Sequence, residues 1–274
     1  MKTCQRSIDF IGGIDPKELL EKNKTDILNP FAIISPHAGY IFSGEVASTI
    51  FNTIDPDKEY DNVFILSTSH TSNFHGGKLF KNIYETPFGN MEINDYICND
   101  LDKDCKYLEF LDSYIEHYIQ GDHTIEVVLP FIFKKLKPGY KIIPIMIGDS
   151  DIEHIKEISD CLKPYLTDDN LFIISSDFSH YTDAYNAISI DKKTKDLILQ
   201  NDAKKFLAEI FNYYSIPNLV TRMCGWSAYL TLLYMIENDP TIDIKDVIYR
   251  NSSDTQYGEK DSVVGYFGVS FCKK

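Results

Sequence analysis

Histidines, one cysteine and a few acids carry the chemistry legible in this 274-residue chain, and their placement matters more than their number. The run "FAIISPHAGYIFSG" ends an apolar stretch at Pro36 and offers His37 next. "NVFILSTSH" ends at His70, and "NLFIISSDFSH" ends at Asp177 and reaches His180. Cys224 lies in "TRMCGW", where a helical pattern opens, and "QGDHTIEVVLP" presents His123 and Glu126 at a loop-to-helix junction. In an open α/β sheet, groups at the carboxyl ends of strands share the edge where ligands bind. His37, His70, Asp177, His180 and Cys224 are therefore expected to converge. His75, His117 and His154 follow no strand and read as surface or structural residues.

Two neutral imidazoles with one anionic ligand suit non-haem iron and oxygen chemistry. The same set with a water in the open position suits a hydrolytic zinc site. A thiolate as the third ligand favours zinc, copper(I) or iron over magnesium or calcium. The chain has no HExxH, no Walker loop, no GxGxxG after a strand and no GxSxG elbow, so the mechanisms tied to those motifs lack support.

The elements that must hold these groups alternate. Strand-like runs cover Phe31–Ser35, Asn62–Ser67, Lys141–Ile147, Asn170–Ser175, Asp246–Asn251 and Ser262–Phe271, each rich in β-branched and aromatic residues. "NVFILS" and "NLFIISS" are apolar on both faces, as interior strands covered on two sides are. Between them lie helical patterns. One begins at "SGEVASTIFNTI", with Ser43 as the expected N-cap. "TIEVVLPFIFKKL" has Pro130 as an expected bend. "DIEHIKEISDCLKPYL" has Asp151 as its expected cap, and three more helical patterns precede the last two strands. The pattern predicts a layered α/β sandwich. The closing run is expected to pair as a hairpin with the strand before it, which makes the central sheet mixed. No repeat or Pro/Gly-rich linker divides the chain, so residues 1–274 read as one domain.

Composition excludes other classes. The formal net charge of −14 opposes nucleic-acid binding, which needs a basic footprint. No signal peptide or membrane-length apolar run is read, so a cytoplasmic protein is expected. Cys4, Cys98, Cys105, Cys161, Cys224 and Cys272 form no CxxC pair. A disulfide framework is not expected, and most of them are expected to be reduced, small, buried hydrophobes.

The motifs "PHAGYIFSG", "STSHTSNFHGG", "YETPFGN", "DHTIEVVLPF", "IIPIMIGD", "FIISSDFSHY", "MCGWSAY" and "YRNSSDTQYGEKDSVVGYFGVSF" occur in the order found in the Memo family, called AmmeMemoRadiSam system protein B in prokaryotes. The resemblance covers Ala32 to the C-terminus. It implies a three-layer α/β/α sandwich with a fold similar to class III extradiol ring-cleaving dioxygenases, in which two histidines and a glutamate bind iron(II). Carried onto this chain, it implies metal ligands at His37, His70 and Cys224, with the cysteine replacing the glutamate. It implies acid/base or outer-sphere roles for Asp177, His180 and His123, with Glu126 as the acid beside His123. The chain departs from the family at the N-terminus, where "RSIDFIGG" replaces an AGxFYP-like stretch, and before His70, where Ser-Thr-Ser replaces Gly-Pro-Ser. Thr71 stands where many relatives have a second histidine.

Three functions compete at this point. The first is an iron(II)-dependent oxidoreductase acting on an unidentified small molecule, with copper or zinc as alternative metals. The second is a non-catalytic metal- or peptide-binding adaptor, as suggested for eukaryotic relatives that bind phosphotyrosine peptides. Few arginines serve that role here, and Arg222 is the nearest to the site in sequence. The third is a zinc hydrolase with Glu126 or Asp177 as base. The resemblance also implies a functional link to an AMMECR-type protein and a radical S-adenosylmethionine enzyme.

Overall fold

Strands with two apolar faces need cover on both sides, and the computed structural model supplies it. It describes residues 2–3, 5–81, 84–112, 116, 122–148 and 151–274. The first part of the chain holds β1 (Lys2–Thr3), α1 (Gln5–Ile11), α2 (Pro16–Lys22), β2 (Ala32–Ser35), α3 (Tyr40–Asn52) and β3 (Asn62–Thr68). Short elements follow: β4 (Gly77–Leu79), β5 (Tyr84–Thr86), β6 (Gly89–Met91), α4 (Asp95–Asp104), β7 (Leu108–Phe110) and α5 (Leu129–Lys135). The remainder holds β8 (Lys141–Ile147), α6 (Ile152–Leu162), β9 (Asn170–Ser175), α7 (Ala184–Leu199), α8 (Ala203–Ile210), α9 (Trp226–Ile236), β10 (Ile242–Asn251) and β11 (Gly265–Lys273).

Eight strands form the main sheet in the order β10-β11-β2-β9-β3-β8-β4-β7. Its centre, β2-β9-β3-β8, is parallel. β11 runs antiparallel to both β2 and β10, and β4 antiparallel to β8. The sheet is thus mixed, with the expected C-terminal hairpin. On one face α3 packs on β2, β10 and β11, with α2 and α5 beside it. On the other, α9 packs on β3, β8 and β9 between α6 and α8, and α7 covers β10 and β11. Every residue of β2 and β9 is buried. Such strands bury about 25 cal/mol for each Å² of apolar surface, the main drive for the three layers.

The expected cap at Asp151 forms, and two further aspartates act in the same way. Asp151, Asp183 and Asp202 each cap a helix by accepting a backbone N–H at its first turn. Three expectations are corrected. Ser43 does not cap α3. The helix starts three residues earlier, with Gly39 as N-cap, and the Ser43 hydroxyl donates to the Ala38 carbonyl at 2.8 Å. Burying Tyr40 on this extra turn, with its hydroxyl donating to Val127 O, outweighs the local cap. Pro130 does not bend a long helix. It lies in the first turn of α5, where its missing N–H goes unused, so His123 and Glu126 precede the helix in turns. Cys105 and Cys161 are joined in a disulfide. The C-cap of α4 meets α6 across a separation of 56 residues, with Cα atoms 5.9 Å apart, within the range disulfides use. Cys98 and Cys272 are the buried free thiols expected. Cys4 and His117 lie outside the described residues.

Candidate metal site

The site grows from three parallel neighbours. Ser35 of β2 lies level with Ser175 of β9, and β3 flanks β9 on the other side. The chain leaves all three at the same edge, so His37, Asp177 and His70 emerge side by side although 140 residues separate the first two and 107 residues separate Asp177 from His70. The fourth contributor arrives from the helical layer. The segment before α9 folds onto the end of β9, with Cys224 N–H donating to Asp177 O at 3.1 Å and Gly225 N–H to Ser176 Oγ at 2.9 Å. Gly225 permits this approach, since a Cβ there would lie 2.8 Å from Ser175 O and 2.6 Å from Ser176 Cβ.

His37 is buried and fixed at both ends of its ring. Ser175 Oγ donates to Thr124 O, which leaves that oxygen to accept from His37 Nδ1–H at 2.9 Å. The lone pair then belongs to Nε2, which lies 3.3 Å from Cys224 Sγ. The His37 backbone N–H donates to Asp177 Oδ1 at 2.9 Å, and Asp177 Oδ2 lies 3.9 Å from Nε2. His70 is exposed, and its backbone N–H donates to Asp122 Oδ2 at 2.7 Å. The rings of His37, His70 and His123 meet edge to face, with centroids 5.1 to 5.5 Å apart. Phe10 of α1 stacks on His123 at 4.3 Å, so the unusual N-terminal stretch does form a wall of the pocket.

Desolvation holds His37, His70 and His180 toward the neutral form. The pKa of His37 is well below the usual value, first through burial and then through His70, His123 and His180. Desolvation by the surrounding pocket also lowers His70, although one side of the residue is open to solvent, and burial lowers His180. Neutral imidazole is the form that ligates a metal. Burial pushes the Cys224 thiol up and raises the Asp177 carboxyl to about 7. A cation in their midst would favour the deprotonated form of both.

Two groups of side chains are spaced to hold an ion, each with its ligand atoms within 4.8 Å of one another: His37, His70 and Cys224, and His70, Asp122 and His123. Bonds of about 2.0–2.3 Å put tetrahedral ligand atoms about 3.4–3.8 Å apart, so side-chain rotation of an ångström or less closes either set. The donors fit a borderline or soft cation.

The strand-end expectation thus gathers His37, His70, Asp177, His123 and Cys224. His180 stands beside them, half-buried, with Nδ1–H donating to Phe178 O at 2.7 Å, and joins neither ion-sized group. Glu126 is buried and also joins neither. Arg222 turns away. Its Nε donates to Thr194 Oγ1 and its guanidinium to Glu209 O, so it belongs to the helical layer. His75 is exposed, and His154 stacks on Tyr107 at 3.7 Å, as structural residues do. Sequence reasoning missed Asp122 and Ser175. The Asp-His dipeptide was visible for the first. Nothing local marks the second, whose role exists only because β9 lies beside β2.

The family profile described as Memo-like protein matches residues 10–270. The chain belongs to this family. It is 31% identical to a MEMO1 family protein of Aquifex aeolicus, over 96% of this chain and 91% of the relative. It is 32% identical to one of Sulfurisphaera tokodaii, over 89% and 83%, and 29% identical to one of Nitrosopumilus maritimus, over 88% and 84%. Its fold resembles the crystal structure of an uncharacterized protein of Escherichia coli K12, with a TM-score of 0.50 over 87% of this chain and 98% of the other at 12% identity. Among the described residues no helix is long and apolar enough to cross a membrane.

Proposed function

We propose that this chain is a mononuclear iron(II)-dependent oxidoreductase of the dioxygenase-like kind, with His37, His70 and Cys224 as ligands. The observation that carries this reading is the convergence of those three ligand atoms within 4.8 Å. Iron(II) bound there would supply a site for oxygen activation with open positions. The protein's own contribution is orientation. The Thr124–Ser175–His37 chain of hydrogen bonds fixes the His37 tautomer, and the Asp177 carboxylate locks the His37 backbone. His180 is anchored through Nδ1, so Nε2 is its proton-accepting atom, and its lowered pKa keeps it neutral and able to accept a proton near pH 7. His123, held flat by Phe10, offers a second proton-handling ring. His70, the exposed ligand, faces the side from which an ion or a small molecule arrives. The family link further leads us to propose a shared modification pathway with AMMECR-type and radical S-adenosylmethionine proteins.

The test is metal analysis of protein purified anaerobically without added metal. About one iron per chain, lost in His70→Ala and held more weakly in Cys224→Ala, is expected. Zinc in iron's place would favour hydrolysis, and no metal at all would leave the adaptor reading.

A further inference from the structure

The second ion-sized group shares His70 with the first but replaces His37 and Cys224 by His123 and Asp122. Asp122 is buried, an expensive place for a carboxylate without partners. Its Oδ1 accepts from Thr124 N–H at 3.1 Å and Thr124 Oγ1–H at 2.9 Å, and its Oδ2 accepts from His70 N–H at 2.7 Å. An ionised carboxylate has about four acceptor directions, so these three bonds leave one on Oδ2. A carboxylate oxygen of Asp122 belongs to the same ion-sized group as the His70 and His123 ring nitrogens. Two imidazoles and one carboxylate are the donor set that non-haem iron(II) and other borderline divalent cations use.

We propose that the pocket has a second cation position, formed by His70, Asp122 and His123, which takes a borderline divalent ion such as iron(II), zinc or cobalt(II). The inference rests on the reading that this pocket binds a metal, and adds where else in it the ion sits. A neutral imidazole has a single lone pair for a cation, so His70 serves one position at a time. The two positions are therefore alternatives for one ion. The thiolate position favours softer ions such as copper(I), and the carboxylate position favours harder ones. His70, exposed between them, is the pivot. An ion that loses the thiolate, whether by oxidation or by substitution, keeps His70 and gains Asp122 and His123.

Cobalt(II) titration tests this, because thiolate ligation gives a near-ultraviolet charge-transfer band that nitrogen and oxygen ligands lack. Wild type should bind one cobalt with that band. Cys224→Ala should still bind one cobalt, without the band and within about a hundredfold of the wild-type affinity. Adding Asp122→Asn, which keeps the shape and the hydrogen bond to His70, should weaken binding at least about tenfold more, as should adding His123→Ala. Circular dichroism shows whether each variant is folded. Equal binding by Cys224→Ala and both double variants would overturn the proposal, since His37 and His70 would then hold the ion. Binding by wild type but not by Cys224→Ala would overturn it too, while leaving the thiolate site standing. Two cobalt ions in the wild type would overturn the alternation. Absence of binding in the wild type would instead sink the metal reading of the pocket as a whole.

Discussion

Gly225→Ala tests how the tertiary fold positions Cys224. Gly225 has φ of −90°, which alanine adopts without strain, so any effect is steric. The added Cβ would lie 2.6 Å from Ser176 Cβ and 2.8 Å from Ser175 O, where ordinary contact begins at 3.4 Å. Relief requires a shift of about 0.6–0.8 Å, and Ser175 ends a central strand paired with β2, so the start of α9 must move instead. Overpacking of this kind costs about 1–3 kcal/mol, which lowers Tm by about 2–5 °C at this chain length. The larger consequence is for Cys224, the preceding residue. Metal ligands hold their places to about 0.2 Å, so the shift should weaken cobalt(II) affinity about ten- to a hundredfold and diminish the thiolate band. Gly39→Ala is the control. It also neighbours a ligand segment, but its Cβ would meet only Phe10 O, at 3.7 Å. Thermal denaturation and cobalt titration of both variants settle the matter. Wild-type affinity and Tm in Gly225→Ala would refute the claim that close packing of α9 on β9 places the thiol.

The two histidine ligands should part company in stability. His70→Ala, at an exposed position, should change stability by no more than about 0.5 kcal/mol and lose the metal, whereas His37→Ala removes a buried ring from Ser175, should cost about 1–3 kcal/mol in urea titrations and should hold the metal more weakly. Full metal retention by His70→Ala would refute the site. Asp191 is a buried carboxyl held by Ser179 and Tyr249, and burial raises its pKa to about 7. The folded state therefore holds this proton more tightly than the unfolded chain. Its stabilisation is complete below about pH 4 and is lost as pH rises through 7. Between pH 5 and 7 the wild type should lose about 2–3 kcal/mol relative to Asp191→Asn, and parallel stability curves would contradict this. His37, His70 and His180, with lowered pKa values, act oppositely and lose stability as pH falls below about 6.5, which is why the difference between the two proteins is the quantity to measure. Alkylation followed by mass spectrometry should modify Cys224 only without metal, and Cys105 and Cys161 only after reduction. Equal labelling of Cys224 with and without metal would remove it from the ligand set.

The sequence by itself determined the interior strands, since runs such as "NVFILS" have no polar face to show to water and must be covered twice. It determined the cap of α6, because the Asp151 carboxylate one residue before that helix satisfies an N–H group in its own vicinity. It also determined which residue types stand at strand ends, and so His37, His70 and Asp177 as candidates. It did not determine the start of α3, where burying Tyr40 overrode the cap at Ser43, or the disulfide, which depends on α4 meeting α6. The order β2-β9-β3 was decided only in three dimensions, and with it the Ser175 hydroxyl that sets the His37 tautomer and the contact of Cys224 with His37. Asp122 was in plain view beside His123, but its ligand position became visible only when its segment came to rest against His70. The physical reason is the same throughout. Periodicity and capping act over a few residues and are written locally, whereas a site is a set of distances between segments far apart in the chain, fixed by which strands pair and how closely helices approach them.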